Sequence, residues 1–209
     1  MSEYLRDPSA IYARSFAIIR AEADLRALPP SAHAIAIRVI HSCGMVEVAQ
    51  DLVISENFAA ATQTALDHAK PIFVDAEMVR HGIIAHQLPP GVEIICTLND
   101  PRARELGLSQ QITRTAAAVE LWREKLTGSI VVIGNAPTAL FHLLELIDEG
   151  YPKPACIVGM PVGFVGASES KDALVANPRG IPHAIIRGRK GGSAMASAVI
   201  NALTSDMPS

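Results

Sequence analysis

The chain has 209 residues, enough for one domain with a sizeable aliphatic core and too few for two full ones. With 18 Lys and Arg against 21 Asp and Glu, its net charge of −3 leaves no basic surface for general nucleic-acid binding. Cys43, Cys96 and Cys156 are widely spaced and form no Cys-x-x-Cys pair, which argues against a disulfide framework and a structural zinc site. The opening Met-Ser-Glu-Tyr-Leu-Arg-Asp-Pro lacks a basic segment followed by an apolar one, and no apolar run reaches membrane-span length. The expectation is a cytoplasmic protein without a membrane partner.

Residues 9–28 are predicted to form the first helix, capped by Ser9, with Ile11, Phe16, Ile18, Ile19 and Leu25 as its apolar stripe. Ser15 sits inside it, and helix chemistry alone makes its hydroxyl solvated or bonded back to the chain. Pro29-Pro30 ends that segment, Ser31 is a good N-cap, and residues 32–43 form a second helix stopped by Gly44. There Arg38 and His41 lie three apart on one face, a permanent cation beside the side chain that titrates near neutral pH. Arg38 can anchor a carboxylate while His41 does acid or base work. A capping histidine beside a surface arginine is the plainer alternative. A short extended piece at 51–54 and a third helix from Asn57 to about Lys70 follow.

From residue 71 the pattern changes. Short β-branched runs at 71–75, 92–98, 129–133, 155–158 and 183–187 are too brief for helices and read as buried strands. Helical stretches are expected at about 114–126, 136–149, 168–176 and 192–204, with only a short helix possible between Met78 and Gln87. Alternating strands and helices predict an α/β fold: a flavodoxin-like, open, doubly wound sheet of mainly five parallel strands. The expected organisation is one domain over residues 1–209, with a helical layer in 1–50 and the sheet core in 71–204.

In such a sheet, ligands bind beyond the carboxyl ends of the strands. The richest end is Arg187-Gly-Arg189-Lys190-Gly-Gly-Ser193, where three cations and flexible glycines lead into a helix N-terminus, a setting suited to carboxylate or phosphate. A solvated basic turn is the alternative. The other ends carry Asp75-Ala-Glu77, Thr97-Leu-Asn-Asp100, Gly134-Asn-Ala-Pro-Thr138 and Gly159-Met-Pro-Val-Gly-Phe-Val-Gly166. Asp75 and Glu77 could act as carboxylate catalysts or merely cap the next helix. Phosphate-loop, dinucleotide and nucleophile-elbow motifs are all missing. His81 and His86 have no partner motif for a metal, and His33, His68, His142 and His183 read as surface or packing residues.

Taken together, Arg38-Val-Ile-His41-Ser-Cys-Gly44, Asp75-Ala-Glu-Met78, Gly134-Asn-Ala-Pro-Thr-Ala-Leu-Phe141, Gly159 to Gly166 with Glu169-Ser-Lys171, and Arg187 to Met195 resemble the precorrin-8X methylmutase family of cobalamin biosynthesis. The resemblance runs from Ile11-Tyr-Ala-Arg-Ser-Phe16 to nearly the last helix. It implies a flavodoxin-like homodimer that uses no metal or organic cofactor. The implied reaction is a 1,5-sigmatropic methyl shift from C-11 to C-12, turning precorrin-8X into hydrogenobyrinic acid. It makes His41 the catalytic acid and Ser15 and Arg38 substrate contacts, replacing the plainer reading of Ser15. Arg114 is a further candidate contact, and Arg187, Arg189 and Lys190 would meet the ring's carboxylates. On this reading the neighbouring substrate carboxylates would raise the pKa of His41 modestly. A cobalt-precorrin-8 methylmutase and a non-catalytic corrinoid carrier remain alternatives, and product hand-off to the next pathway enzyme is a further expectation.

Overall fold

A computed structural model describes residues 4–204, so the first three residues of the N-terminal stretch discussed above lie outside it. Six strands are present: β1 (Leu52–Ile54), β2 (Ile72–Val74), β3 (Ile94–Cys96), β4 (Ile130–Ile133), β5 (Cys156–Gly159) and β6 (His183–Ile186). They form one sheet in the order β1-β6-β5-β4-β2-β3. The five strands expected from the sequence are mutually parallel. The expectation of five is corrected to six. The extended piece at 51–54 joins the sheet as an antiparallel edge, with Leu52 opposite Ile186. Arg187 N–H bonding Asp51 O at 2.8 Å and Ser55 N–H bonding His183 O at 2.9 Å bracket this pairing.

The helices are α1 (Pro8–Glu22), α2 (His33–Cys43), α3 (Phe58–Asp67), α4 (Glu77–Gly82), α5 (Pro101–Gln110), α6 (Arg114–Glu120), α7 (Pro137–Asp148), α8 (Ala167–Ala176) and α9 (Ser193–Thr204). Strand side chains alternate between two cores, as the pleat requires. Ile72, Val74, Ile130, Val132, Val158 and Ile186 pack with α2, α3, α4 and α9. Phe73, Val131, Ile133, Ile157 and Ile185 face the other way, against α6, α7, α8 and Trp122. Burial on both faces explains why the strands read as continuous apolar runs. A third cluster, Phe16, Ile19, Ile37, Ile40 and Ala49, fastens α1 to the outer side of α2.

Local chemistry accounts for the boundaries that differ from expectation. Asp7, not Ser9, caps α1: its carboxylate accepts from Ala10 N–H at 2.7 Å, and Pro8 opens the helix. The helix stops at Glu22 rather than residue 28, where Ala23 turns extended. Ser31 does not cap α2, because Pro30–Ala32 forms a 3-10 turn that leads straight into it. Gly44 ends α2 as expected, taking a left-handed φ of 70° with its N–H bonded to Ile40 O at 2.8 Å. The third helix stops at Asp67 rather than Lys70, as Ala69 takes a left-handed φ of 50°. The stretch 114–126 splits into α6 and a 3-10 turn at Arg123–Lys125. Helix α5 was not expected, although Asp100 followed by Pro101 is a strong start signal: the Asp100 side chain caps Arg102 N–H at 3.0 Å.

Candidate active site

The site begins with two crossing faces. On α1, Tyr12, Ser15 and Phe16 stand at i, i+3 and i+4 and so share a side. On α2, Arg38 and His41 present one side, while Ile37 and Ile40 pack onto α1 beside Phe16. Docking the two helices brings Ser15 Oγ to 2.9 Å from His41 Nδ1. The imidazole lies nearly parallel to Phe16, centroids 4.9 Å apart, and is tilted against Tyr12 at the same separation. The Arg38 guanidinium sits over the same two rings, 5.4 Å from Tyr12 and 5.9 Å from Phe16.

Arg38 is only 6% exposed and has no carboxylate partner among the described residues. A buried cation ordinarily acquires a counter-ion. Two aromatic faces compensate part of the cost here, and an incoming anion would compensate more. His41 is half-buried. Burial, and then the charge of Arg38, hold its pKa below the ordinary imidazole value. The raised pKa expected above belongs to the substrate-bound ring; in the free protein burial and Arg38 shift it the other way, toward the neutral imidazole. Tyr12 and Phe16 escaped sequence reasoning as site residues, yet their spacing from Ser15 was a readable signal.

The end of α2 approaches the carboxyl edge of the sheet. Burial raises the Cys43 thiol, while the charge of Lys190 pulls it the other way, which sets the loop after β6 beside α2. The three cations of that loop point separately. Lys190 Nζ pairs with Asp51 at 3.0 Å, Arg189 lies over Phe164 at 5.2 Å, and Arg187 is 4.0 Å from Asp172. Next to them the Val162–Val165 tip is open to solvent, Phe164 being 82% exposed.

Arg114 is exposed at the first turn of α6, on the layer opposite α2. Thr113 Oγ1 bonds Thr138 Oγ1 at 2.8 Å, which ties the start of α6 to the start of α7 on the same carboxyl edge. One chain therefore gathers Ser15, Arg38 and His41, sets Lys190 nearby, and leaves Arg114 on the far layer. Asp75 is not a free catalyst. Its buried carboxylate accepts from Gly134, Asn135 and Ala136 N–H at 2.7 to 3.0 Å, fixing the turn after β4. A cleft of about 700 Å³ at the β3 edge, lined by Cys96, Arg102 and Arg123, contains none of the expected site residues. Its cations are engaged, Arg102 with Asp100 and Arg123 over Tyr151.

This chain is similar to known proteins along nearly all its length. The family model described as precorrin-8X methylmutase matches residues 10–206. A precorrin-8X methylmutase from Sinorhizobium sp is 56% identical over 96% of both chains. A cobalt-precorrin-8 methylmutase from Methanothermobacter thermautotrophicus is 42% identical over 86% of this chain and 83% of its own. The solved precorrin-8X methylmutase of Thermus thermophilus superposes with a TM-score of 0.85 at 35% identity, covering 94% of each chain. With helices α2 to α9, all six strands and all but the first two residues of α1 inside the matched span, the chain belongs to the precorrin-8X methylmutase family.

Proposed function

We propose that this chain is the isomerase that moves the C-11 methyl group of precorrin-8X to C-12, giving hydrogenobyrinic acid in cobalamin biosynthesis. The observation that carries the site assignment is the buried, carboxylate-free Arg38 beside a half-buried His41 that is hydrogen-bonded to Ser15. A corrinoid ring is broad and apolar-faced with a fringe of acetate and propionate carboxylates, so it fits aromatic and aliphatic surface bordered by cations. Burial and then the Arg38 charge depress His41; one carboxylate at Arg38 offsets the second of these, and further carboxylates nearby favour the imidazolium. In the imidazolium Nδ1–H donates to Ser15 Oγ, 2.9 Å away, which leaves Nε2–H free to reach a ring nitrogen. Protonation or hydrogen bonding there withdraws electron density from the conjugated system. The C-11–methyl bond then breaks as the C-12–methyl bond forms, with no net oxidation. No cofactor enters this reading.

Arg187, Arg189, Lys190 and Arg114 are further substrate contacts in this proposal, holding peripheral carboxylates along the sheet edge. The order of the five parallel strands supports a flavodoxin-like single domain, with β1 as an added edge. Exposed Ile11, Tyr12 and Ile18 on α1, with Val162, Phe164 and Val165, support a homodimer in which a second copy closes the site. Placement in the cytoplasm and hand-off of the product to the next enzyme complete the proposal; no helix among the described residues is long and apolar enough to cross a membrane.

The relative named for the metal-free ring is closer, at 56% identity, than the one named for the cobalt-bearing ring, at 42%. The visible absorption of precorrin-8X and of cobalt-precorrin-8 followed with purified protein tests the choice. Faster conversion of the metal-free ring to a corrin spectrum is expected; conversion of the cobalt ring alone would reassign the substrate, and none of either would reject the isomerase.

A further inference from the structure

Lysine is almost never fully buried without a charged partner. Lys171, on α8, is 0% exposed and has no carboxylate within ion-pair distance among the described residues. Its ammonium instead donates to two carbonyls, Pro161 O at 3.2 Å and Lys190 O at 2.7 Å. Those carbonyls belong to different loops, one after β5 and one after β6.

The two loops touch backbone to backbone. Gly192 N–H bonds Met160 O at 2.8 Å, and Gly163 N–H bonds Arg189 O at 3.3 Å. Gly191 has a φ of +156°, and a Cβ there would meet Met160 O at 2.4 Å and Pro161 O at 2.7 Å. Only glycine permits that approach. Methionine in place of Lys171 would fill the space without burying a charge, and desolvation lowers the ammonium's pKa to about 8. The cost of keeping a lysine there needs a return beyond packing.

We infer that Lys171 is a positioning residue for substrate binding: it ties the loops after β5 and β6 into one rim, so that Arg187, Arg189, Lys190 and the Val162–Val165 tip keep a fixed relation. This rests on the reading above that the basic loop holds substrate carboxylates. The bonds also orient two peptide groups. Every peptide among the described residues is trans, so a carbonyl turned toward Lys171 turns the N–H of the same peptide the other way. The N–H groups so directed are those of Val162 and Gly191, and neither bonds an acceptor among the described residues. They add two fixed donors to a rim that meets carboxylates.

The test is steady-state kinetics of Lys171→Met with precorrin-8X, beside amide exchange at Gly163 and Gly192. The expected result is a KM raised about tenfold, kcat within about threefold of wild type, and faster exchange at both amides. Lys171→Gln keeps N–H donors without the charge and is expected to fall between, so the comparison stands if the Met variant fails to fold. Wild-type KM in both variants overturns the inference. Arg187→Ala/Arg189→Ala then separates the causes: a raised KM there leaves the basic rim standing and rejects only the tie, whereas an unchanged KM rejects the rim itself.

Discussion

Ser15 and His41, 26 positions apart in sequence, are joined by a 2.9 Å hydrogen bond between α1 and α2. The hydroxyl fixes both the ring's orientation and which nitrogen faces away from it. Removing it leaves the ring packed between Tyr12 and Phe16 but free to exchange tautomers. Ser15→Ala is expected to lower kcat about 10- to 100-fold with KM little changed, read in a steady-state absorption assay.

Arg38 separates stability from function. Its charge is buried without a carboxylate, so Arg38→Met is expected to leave the free protein as stable as wild type or more stable, by roughly 1 kcal/mol. The same change is expected to raise KM at least tenfold, because the anchor for a substrate carboxylate is gone. Thermal unfolding and KM measured on one preparation check both halves.

The protonation of His41 gives two signed expectations. In the free protein its pKa is depressed by burial and then by Arg38, so the unfolded chain binds the proton more readily. That part of the stability is present above the ordinary imidazole value of 6.5 and lost as pH falls through the lower folded value. The fall in Tm on acidification below about pH 6.5 should therefore be shallower in His41→Asn than in wild type. Burial also depresses His183, which both proteins share, so the difference isolates His41. Binding should reverse the bias: calorimetry in buffers of different ionisation enthalpy is expected to show proton uptake with hydrogenobyrinic acid near neutral pH, absent in the variant.

Asp75 is a structural tie between strand ends. Asp75→Ala orphans two buried N–H donors and a part-buried one and is expected to destabilise the fold by about 3 kcal/mol in urea unfolding, with loss of activity following loss of folded protein.

Much of the sheet was legible because its strands are buried on both faces and stand out as short β-branched runs between helices. The extended piece at 51–54 was legible, but its place as the edge strand β1 was not, since three residues paired antiparallel to β6 carry no pattern that names their partner. Helix α5 could have been read from Asp100-Pro101, but its mostly polar surface hides the apolar period. Arg38 and His41 were visible from spacing, and Ser15 only through resemblance, because nothing in α1 alone says that its hydroxyl meets an imidazole from another helix. The depressed pKa of His41 in the free protein was not legible for the same reason. It depends on burial under α1, a tertiary fact. Lys171 was passed over since a lysine in an amphipathic helix ordinarily points to solvent.

In the proposed reaction His41 supplies the acid for the methyl shift. The direct measurement is a single-turnover absorption time course, with precorrin-8X mixed with excess wild-type protein or His41→Ala. The variant is expected to bind the pigment still but to convert it at least about 10³-fold more slowly. Conversion within about tenfold of the wild-type rate would contradict it and move the acid elsewhere.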